Sequence, residues 1–354
     1  MNRLPPRIVR RLVVAPIVLA LCLFLVALFP AYLAASALAA LAGDRRWRLL
    51  RITTFATVYA VYEFIGILAM LMLWLRALAG FRIRSPQIQE AHIRFMRWWL
   101  RGINRAAAAL FNLRIHIEDK KAPEAGPVLV FSRHAGPGNS LMLVAEIMLA
   151  YNRRPRIVML AKLQWDPFFD MIGNRLPNRF IQHDPARRDL YVRAIAELAE
   201  GIGEHDAFVL FPEGKDFTPK LRLRAIAHLR KGGHLEAAEK AERMARVLPP
   251  RPGGVTAAVG AAPHADVVFV AHTVLEDVGS FRELWHRIPL DRPVFARYWR
   301  IPAEEVPSER DELIDWLFHW WGRIDTWIAQ RVAMVEEQAP RDSDKTEAIP
   351  PSSS

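Results

Sequence analysis

From Leu12 to Ala42 no side chain carries a charge, and from Ile52 to Leu75 only Glu63 does. A helix needs about 20 apolar residues to cross a bilayer core, and each stretch is long enough. The first can also be read as a signal peptide, with an A-x-A-like stretch near Ala34 as its cleavage site. The second segment implies membrane attachment in either case. Basic residues flank both: Arg3, Arg7, Arg10 and Arg11 before the first, Arg45, Arg46, Arg48 and Arg51 between them, Arg76, Arg82 and Arg84 after the second. With a net charge of +11, this placement fits an anionic lipid surface. No motif supports a nucleic-acid partner. Positive flanks favour the cytoplasmic side. Two full crossings would leave the middle arginines outside, whereas two re-entrant hairpins, the first bent near Pro30, would keep every flank cytoplasmic. Both readings put the remainder of the chain on the cytoplasmic face of the cell membrane. The lone cysteine, Cys22, lies inside the first apolar stretch, so an intrachain disulfide and a cysteine-based zinc site are excluded.

Residues 1–83 therefore read as a membrane anchor. Residues 86–111 form a helix of mixed character, with Phe95, Trp98, Trp99, Leu100 and Ile103 among Arg94, Arg97, Arg101 and Arg105. It lies in the interface or packs on the domain behind it. Strand patterns follow over 113–117, 128–131, 156–160, 208–211 and 266–271, separated by helical patterns over 141–151, 187–202 and 222–247. Alternation of this kind predicts an α/β domain, residues 84–305, with helices on both faces of one sheet. A helix over 310–336 carries Trp316, Trp320, Trp321 and Trp327, which favours packing on the domain. Beyond Glu337 the chain is polar and rich in proline and serine, a disordered composition.

Two segments carry chemistry. In Phe131-Ser132-Arg133-His134-Ala135-Gly136-Pro137-Gly138-Asn139-Ser140 an apolar strand ends at a histidine, the chain turns, and a helix begins. His134 stands at the strand tip, and Asn139 is placed to fold back onto its ring. Phe208-Val209-Leu210-Phe211-Pro212-Glu213-Gly214 repeats the plan, a strand ending in a charged residue and a glycine.

In order, spacing and placement at strand ends, these motifs resemble the glycerolipid acyltransferases, the 1-acylglycerol-3-phosphate acyltransferases and their relatives. The resemblance covers about residues 90–300. The family has a histidine, four residues, then an aspartate, and later Phe-Pro-Glu-Gly. Here the second motif is intact, while Asn139 replaces the aspartate. The resemblance implies a mixed β-sheet flanked by helices, and transfer of a fatty acyl group from coenzyme A or acyl carrier protein to the free hydroxyl of a lysophospholipid. The first acceptor it suggests is 1-acyl-sn-glycerol-3-phosphate, giving phosphatidic acid. It implies no metal and no bound redox cofactor. His134 is then the general base, without an acyl-enzyme, and backbone N–H groups around 136–139 or at Gly214 serve the oxyanion. Glu213 orients the acceptor or the motif itself, Gly214 allows close approach, and Lys215 offers a phosphate-binding cation that Asp216 opposes. Arg251, in Leu248-Pro249-Pro250-Arg251-Pro252-Gly253-Gly254, faces the phosphate site or caps the preceding helix. Arg179 is a further phosphate candidate, with His183 at the usual arginine place. Asparagine brings no charge to an imidazolium, and the comparable change in serine proteases costs about 10⁴ in turnover. The alternatives are a remodelling acyltransferase for another lysophospholipid, or a lipid-binding member with weakened or lost catalysis.

Overall fold

A computed structural model describes residues 4–43, 46–118, 125–134, 136–182, 188–273 and 285–337. His183 and the tail beyond Glu337 lie outside the described residues.

The sequence opens with a short helix, α1 (Arg7–Val9), which runs through a π-helical turn into α2 (Ala15–Ala27). The helix breaks at Leu28, and α3 (Phe29–Ala42) restarts with Pro30 in its first turn, where a missing N–H costs nothing. The chain then reverses into α4 (Arg48–Arg76). Ser36 meets Thr53, and Tyr32 meets Thr57, so α3 and α4 form an antiparallel hairpin. Among the described residues two helical runs, the continuous Arg7–Ala27 and Arg48–Arg76, are long and apolar enough to cross a membrane.

The N-terminal helical segment, residues 7–76, is bonded to the α/β domain at several points. At its start Arg10 donates to the buried Asp170 at 2.7 Å and to Gln164 at 2.9 Å. At its turn Arg46 pairs with Asp291, and Arg51 donates to the carbonyl of Leu110 at 2.6 Å. Midway, Tyr59 donates to Asp166 at 2.7 Å, and Glu63 accepts the N–H of Phe168 at 3.1 Å. The arginines between the apolar segments are thus held against the same domain as those before them. Residue 83 is no break in the packing. Ile67 and Met70 of α4, Met96 and Trp99 of α5 (Pro86–Phe111) and Phe168 share one apolar cluster. Helix α5 is therefore the domain-packed alternative of the two read from its mixed sequence.

The remaining elements are β1 (Ile115–Glu118), β2 (Val128–Ser132), α6 (Pro137–Ala145), β3 (Arg154–Leu160), α7 (Pro167–Arg175), β4 (Arg179–Ile181), α8 (Arg188–Ala199), β5 (Asp206–Leu210), α9 (Pro219–Lys231), α10 (Leu235–Glu242), α11 (Pro252–Ala261), β6 (Asp266–His272), β7 (Val294–Ile301) and α12 (Arg310–Glu337). The helical pattern over 222–247 splits into α9 and α10 at Gly232 and Gly233. β7 has no clear sequence signal, because Arg297 and Arg300 interrupt its apolar run. Arg300 satisfies its charge on Asp266 of β6 at 2.6 Å, and Arg297 stacks over Trp299.

The strands lie in the order β1-β7-β6-β2-β5-β3-β4. β6, β2, β5, β3 and β4 run parallel, and β7 runs antiparallel to β6. The sheet is mixed, with helices on both faces. Alternate residues divide the core: Leu129, Phe131, Phe208, Leu210 and Phe269 join the face covered by α8, α11 and α12, while Val128, Val130, Val209 and Val270 join the face covered by α6. Trp320 of α12 stacks on Phe269 at 5.1 Å and Trp321 is fully buried, so these tryptophans serve as packing.

Topology places the site. From β2 the chain crosses past β5 to β3, and from β5 it crosses past β2 to β6. The two neighbouring strands send their connections in opposite directions. At such a switch point a crevice opens at the carboxyl ends of the strands, where open α/β sheets bind ligands. Both motifs leave the sheet there.

Candidate active site

His134 follows β2 and the Phe211–Gly214 loop follows β5, so parallel pairing of Phe131 with Leu210 brings the two motifs side by side. Backbone bonds lace them together. Phe217 N–H donates to the carbonyl of His134 at 3.0 Å, while Arg133 N–H ties the first motif to the carbonyl of Val270 on β6 at 3.2 Å. The His134 ring packs on Phe211 with centroids 4.7 Å apart.

The nearest acid to the ring is Asp216. Its Oδ1 lies 2.8 Å from His134 Nδ1. The approach is short but oblique, and neither atom completes an ordinary hydrogen bond. His134 foremost, then the N–H of Gly136 and the charge of Lys162, hold the Asp216 carboxyl below the usual carboxylate range. Asn139 is placed otherwise. It is buried, lines a cavity of about 40 Å³ with Glu146, His272 and Tyr298, and its Nδ2 finds no hydrogen-bond partner.

Glu213 is sealed beneath the site. Its Oε2 accepts the N–H of Leu248 at 3.4 Å, and the N–H of His134 lies close by. Its carboxyl therefore faces motif backbone rather than the crevice. Beside it runs Arg133, fully buried, donating to the carbonyls of His272 at 3.0 Å and Arg246 at 2.6 Å and lying over the ring of Phe217. Asp325 of α12 accepts the N–H groups of Ala245 and Arg246, which fixes the segment that holds both Arg133 and Glu213.

Gly214 takes φ +69°, a left-handed conformation that suits glycine, and an added Cβ would come within 3.2 Å of the Arg251 guanidinium. Arg251 N–H donates to the carbonyl of Pro212 at 3.0 Å. Arg251 is thus laid across the Glu213 loop, at the start of α11 rather than capping the helix before it. Lys215 is exposed beside them. The N–H of Gly214 is spent on Phe211, and that of Asn139 on Gly136. Arg179 stands apart. It lies on β4, three strands from β2, and pairs with Glu197 at 3.0 Å. Two residues of weight escaped the sequence reading. The sequence pattern gives Arg133 no role of its own, and offers Asp216 only as an opponent of Lys215. The available signal was a pair of features: an amide at 139 where the resemblance implies an acid, and an acid at 216 just after the Phe-Pro-Glu-Gly motif.

The acyltransferase family profile matches residues 114–274, a segment that contains both motifs and the crevice. Over this segment the chain is similar to the acyltransferase family. Among solved structures it is similar to the 1-acyl-sn-glycerophosphate (LPA) acyltransferase PlsC from Thermotoga maritima, at 16% identity and a TM-score of 0.49, over 83% of this chain and 98% of that one. No curated protein matches.

Buried titratable groups in the α/β domain set a pH dependence. Burial pushes the Glu213 carboxyl from 4.5 up to about 8, although Arg133 and the two N–H groups oppose it. The stability tied to its proton is complete below pH 4.5 and is lost as pH rises toward 8. Burial, then the Arg133 charge, push the His272 imidazole from 6.5 down to about 3. Stability tied to its neutral form is complete above 6.5 and is lost as pH falls. The slopes cancel between them. Thermal midpoints in detergent are expected to plateau over roughly pH 4.5–6.5 and to fall on either side, each pH unit being worth at most about 1.4 kcal/mol. Glu213→Gln should remove the alkaline fall and turn the plateau into a rise with pH up to about 6.5, where only the His272 slope remains. A midpoint that keeps its alkaline slope in that variant would refute the assignment.

Proposed function

We propose that the protein transfers a fatty acyl group from acyl-coenzyme A, or acyl carrier protein, to the free hydroxyl of a lysophospholipid at a membrane surface. The first acceptor is 1-acyl-sn-glycerol-3-phosphate and the product phosphatidic acid. The observation that carries this reading is His134, at the switch-point crevice of a glycerolipid acyltransferase domain, backed by the intact Glu213 loop. Nε2 takes the proton of the acceptor hydroxyl. The hydroxyl oxygen bonds to the thioester carbonyl carbon, the C–S bond breaks, and the departing thiolate receives the proton from Nε2. The start of α6 offers its positive end to the oxyanion. Arg251 and Lys215, at the mouth of the Glu213 loop, are the cations for the acceptor phosphate.

Exposed Leu21, Phe24, Leu38, Leu71, Met72 and Leu75 on the N-terminal helices give the surface that meets lipid. Because the arginines on both sides of the first apolar segment bind the same domain, the hairpin lies along a single membrane face, the cytoplasmic one. The decisive experiment presents the detergent-purified protein with acyl-coenzyme A, or acyl carrier protein loaded with the same chain, and a panel of lysophospholipids. Phosphatidic acid formed from 1-acyl-sn-glycerol-3-phosphate is the expected product. Turnover on a different headgroup only would move the assignment to lipid remodelling. Lysolipid binding with no turnover on any acceptor would leave a binding protein.

A further inference from the structure

The family pattern puts the acid partner of the histidine five residues downstream, and this chain has an uncharged amide there. The structure nonetheless brings a carboxylate to the ring from the other motif. We infer that Asp216 is the positioning residue of His134, so that the acid of the site has moved from the first motif to the second.

The inference deepens the acyl-transfer reading and rests on it. Asp216 approaches Nδ1 at 2.8 Å, and Nδ1 is the nitrogen that must hold a proton if Nε2 is to act as base. A carboxylate accepts only, so it selects the Nδ1–H tautomer and stabilises the imidazolium formed during proton abstraction. An oblique contact in the free enzyme is expected to tighten when substrate arrives. The backbone supports the arrangement. Phe217, next in sequence, donates to the His134 carbonyl, and the Gly136 N–H lies against the Asp216 carboxylate.

The other charged and titratable groups around the ring have different work. Arg133 and Glu213 are sealed below it, His272 bonds the Arg133 carbonyl through Nε2 at 3.2 Å, and Lys162 faces Asp216 from the segment after β3. Asn139 cannot serve in the same way. Its amide lines a largely apolar cavity that it shares with Glu146, and a carboxylate at that position would lie beside the one already there. An asparagine at 139 and an aspartate at 216 are then two halves of one rearrangement, not a damaged site.

The test combines turnover with the tautomer of His134, read from imidazole nitrogen chemical shifts in protein labelled at histidine and assigned with His134→Gln. Wild type is expected to show the Nδ1–H form. Asp216→Asn should lose that preference and lower kcat by about 10²- to 10³-fold with KM within threefold, less than the full protease penalty because the Asp216 side chain is 48% exposed. Asp216→Glu should recover part of kcat, and Asn139→Ala should leave the tautomer in place. If Asp216→Asn keeps both kcat and tautomer, or if Asn139→Ala abolishes the tautomer preference, the inference is wrong. If wild type turns over no acceptor yet loses the tautomer in Asp216→Asn, the acyl-transfer reading fails and the pair stands.

Discussion

His134→Ala is expected to lower acyl transfer by about 10²- to 10⁴-fold, the usual worth of a positioned general acid–base group. The loss should fall on kcat. Among the described residues of the site none offers a second base: Glu213 is sealed under the backbone, and Asp216 holds the opposite side of the ring from Nε2. The melting temperature should stay near that of wild type, since the ring packs only at the edge of the core, on Phe211. Turnover measured beside differential scanning fluorimetry separates these effects. Undiminished turnover in a folded His134→Ala protein would place the chemistry elsewhere.

The second large effect is on stability. Arg133→Met is expected to cost about 3–5 kcal/mol, because each buried carbonyl left without its donor costs about 1–3 kcal/mol. The guanidinium is fully buried, donates to two carbonyls and lies beside Glu213. Methionine fills much of the volume but leaves the carbonyls of His272 and Arg246 short of a donor, and removes the charge that holds the Glu213 carboxyl down. Adding Glu213→Gln should recover part of the loss, because the two side chains are coupled and their costs are not additive. Urea denaturation of the two single variants and the double variant measures the coupling. Strict additivity would mean that Arg133 works through packing alone.

Much of this architecture was legible along the chain. Helix α5 begins and ends where its sequence pattern does, at Pro86 and Phe111. The apolar runs of β2, β5 and β6 announce strands covered on both faces. Other elements were not legible, for physical reasons. Arg297 and Arg300 mask β7, because their charges are satisfied by Trp299 and Asp266 through tertiary contacts. The apolar segments read as a module separate from the domain, since hydropathy reports length and not partners. Only the fold shows Arg10 reaching Asp170, and Tyr59 reaching Asp166.

The alternation of strands and helices along the chain, the histidine at a strand tip and the glutamate loop are local facts, set by apolar periodicity and by glycine and proline at turns, and the sequence by itself determined them. Which carboxylate meets His134 is a different kind of fact. It depends on β2 and β5 lying adjacent and parallel in one register, a pairing between segments far apart in the chain. Neither Asn139 nor Asp216 reveals its partner until long-range hydrogen bonding has set the two strand ends side by side.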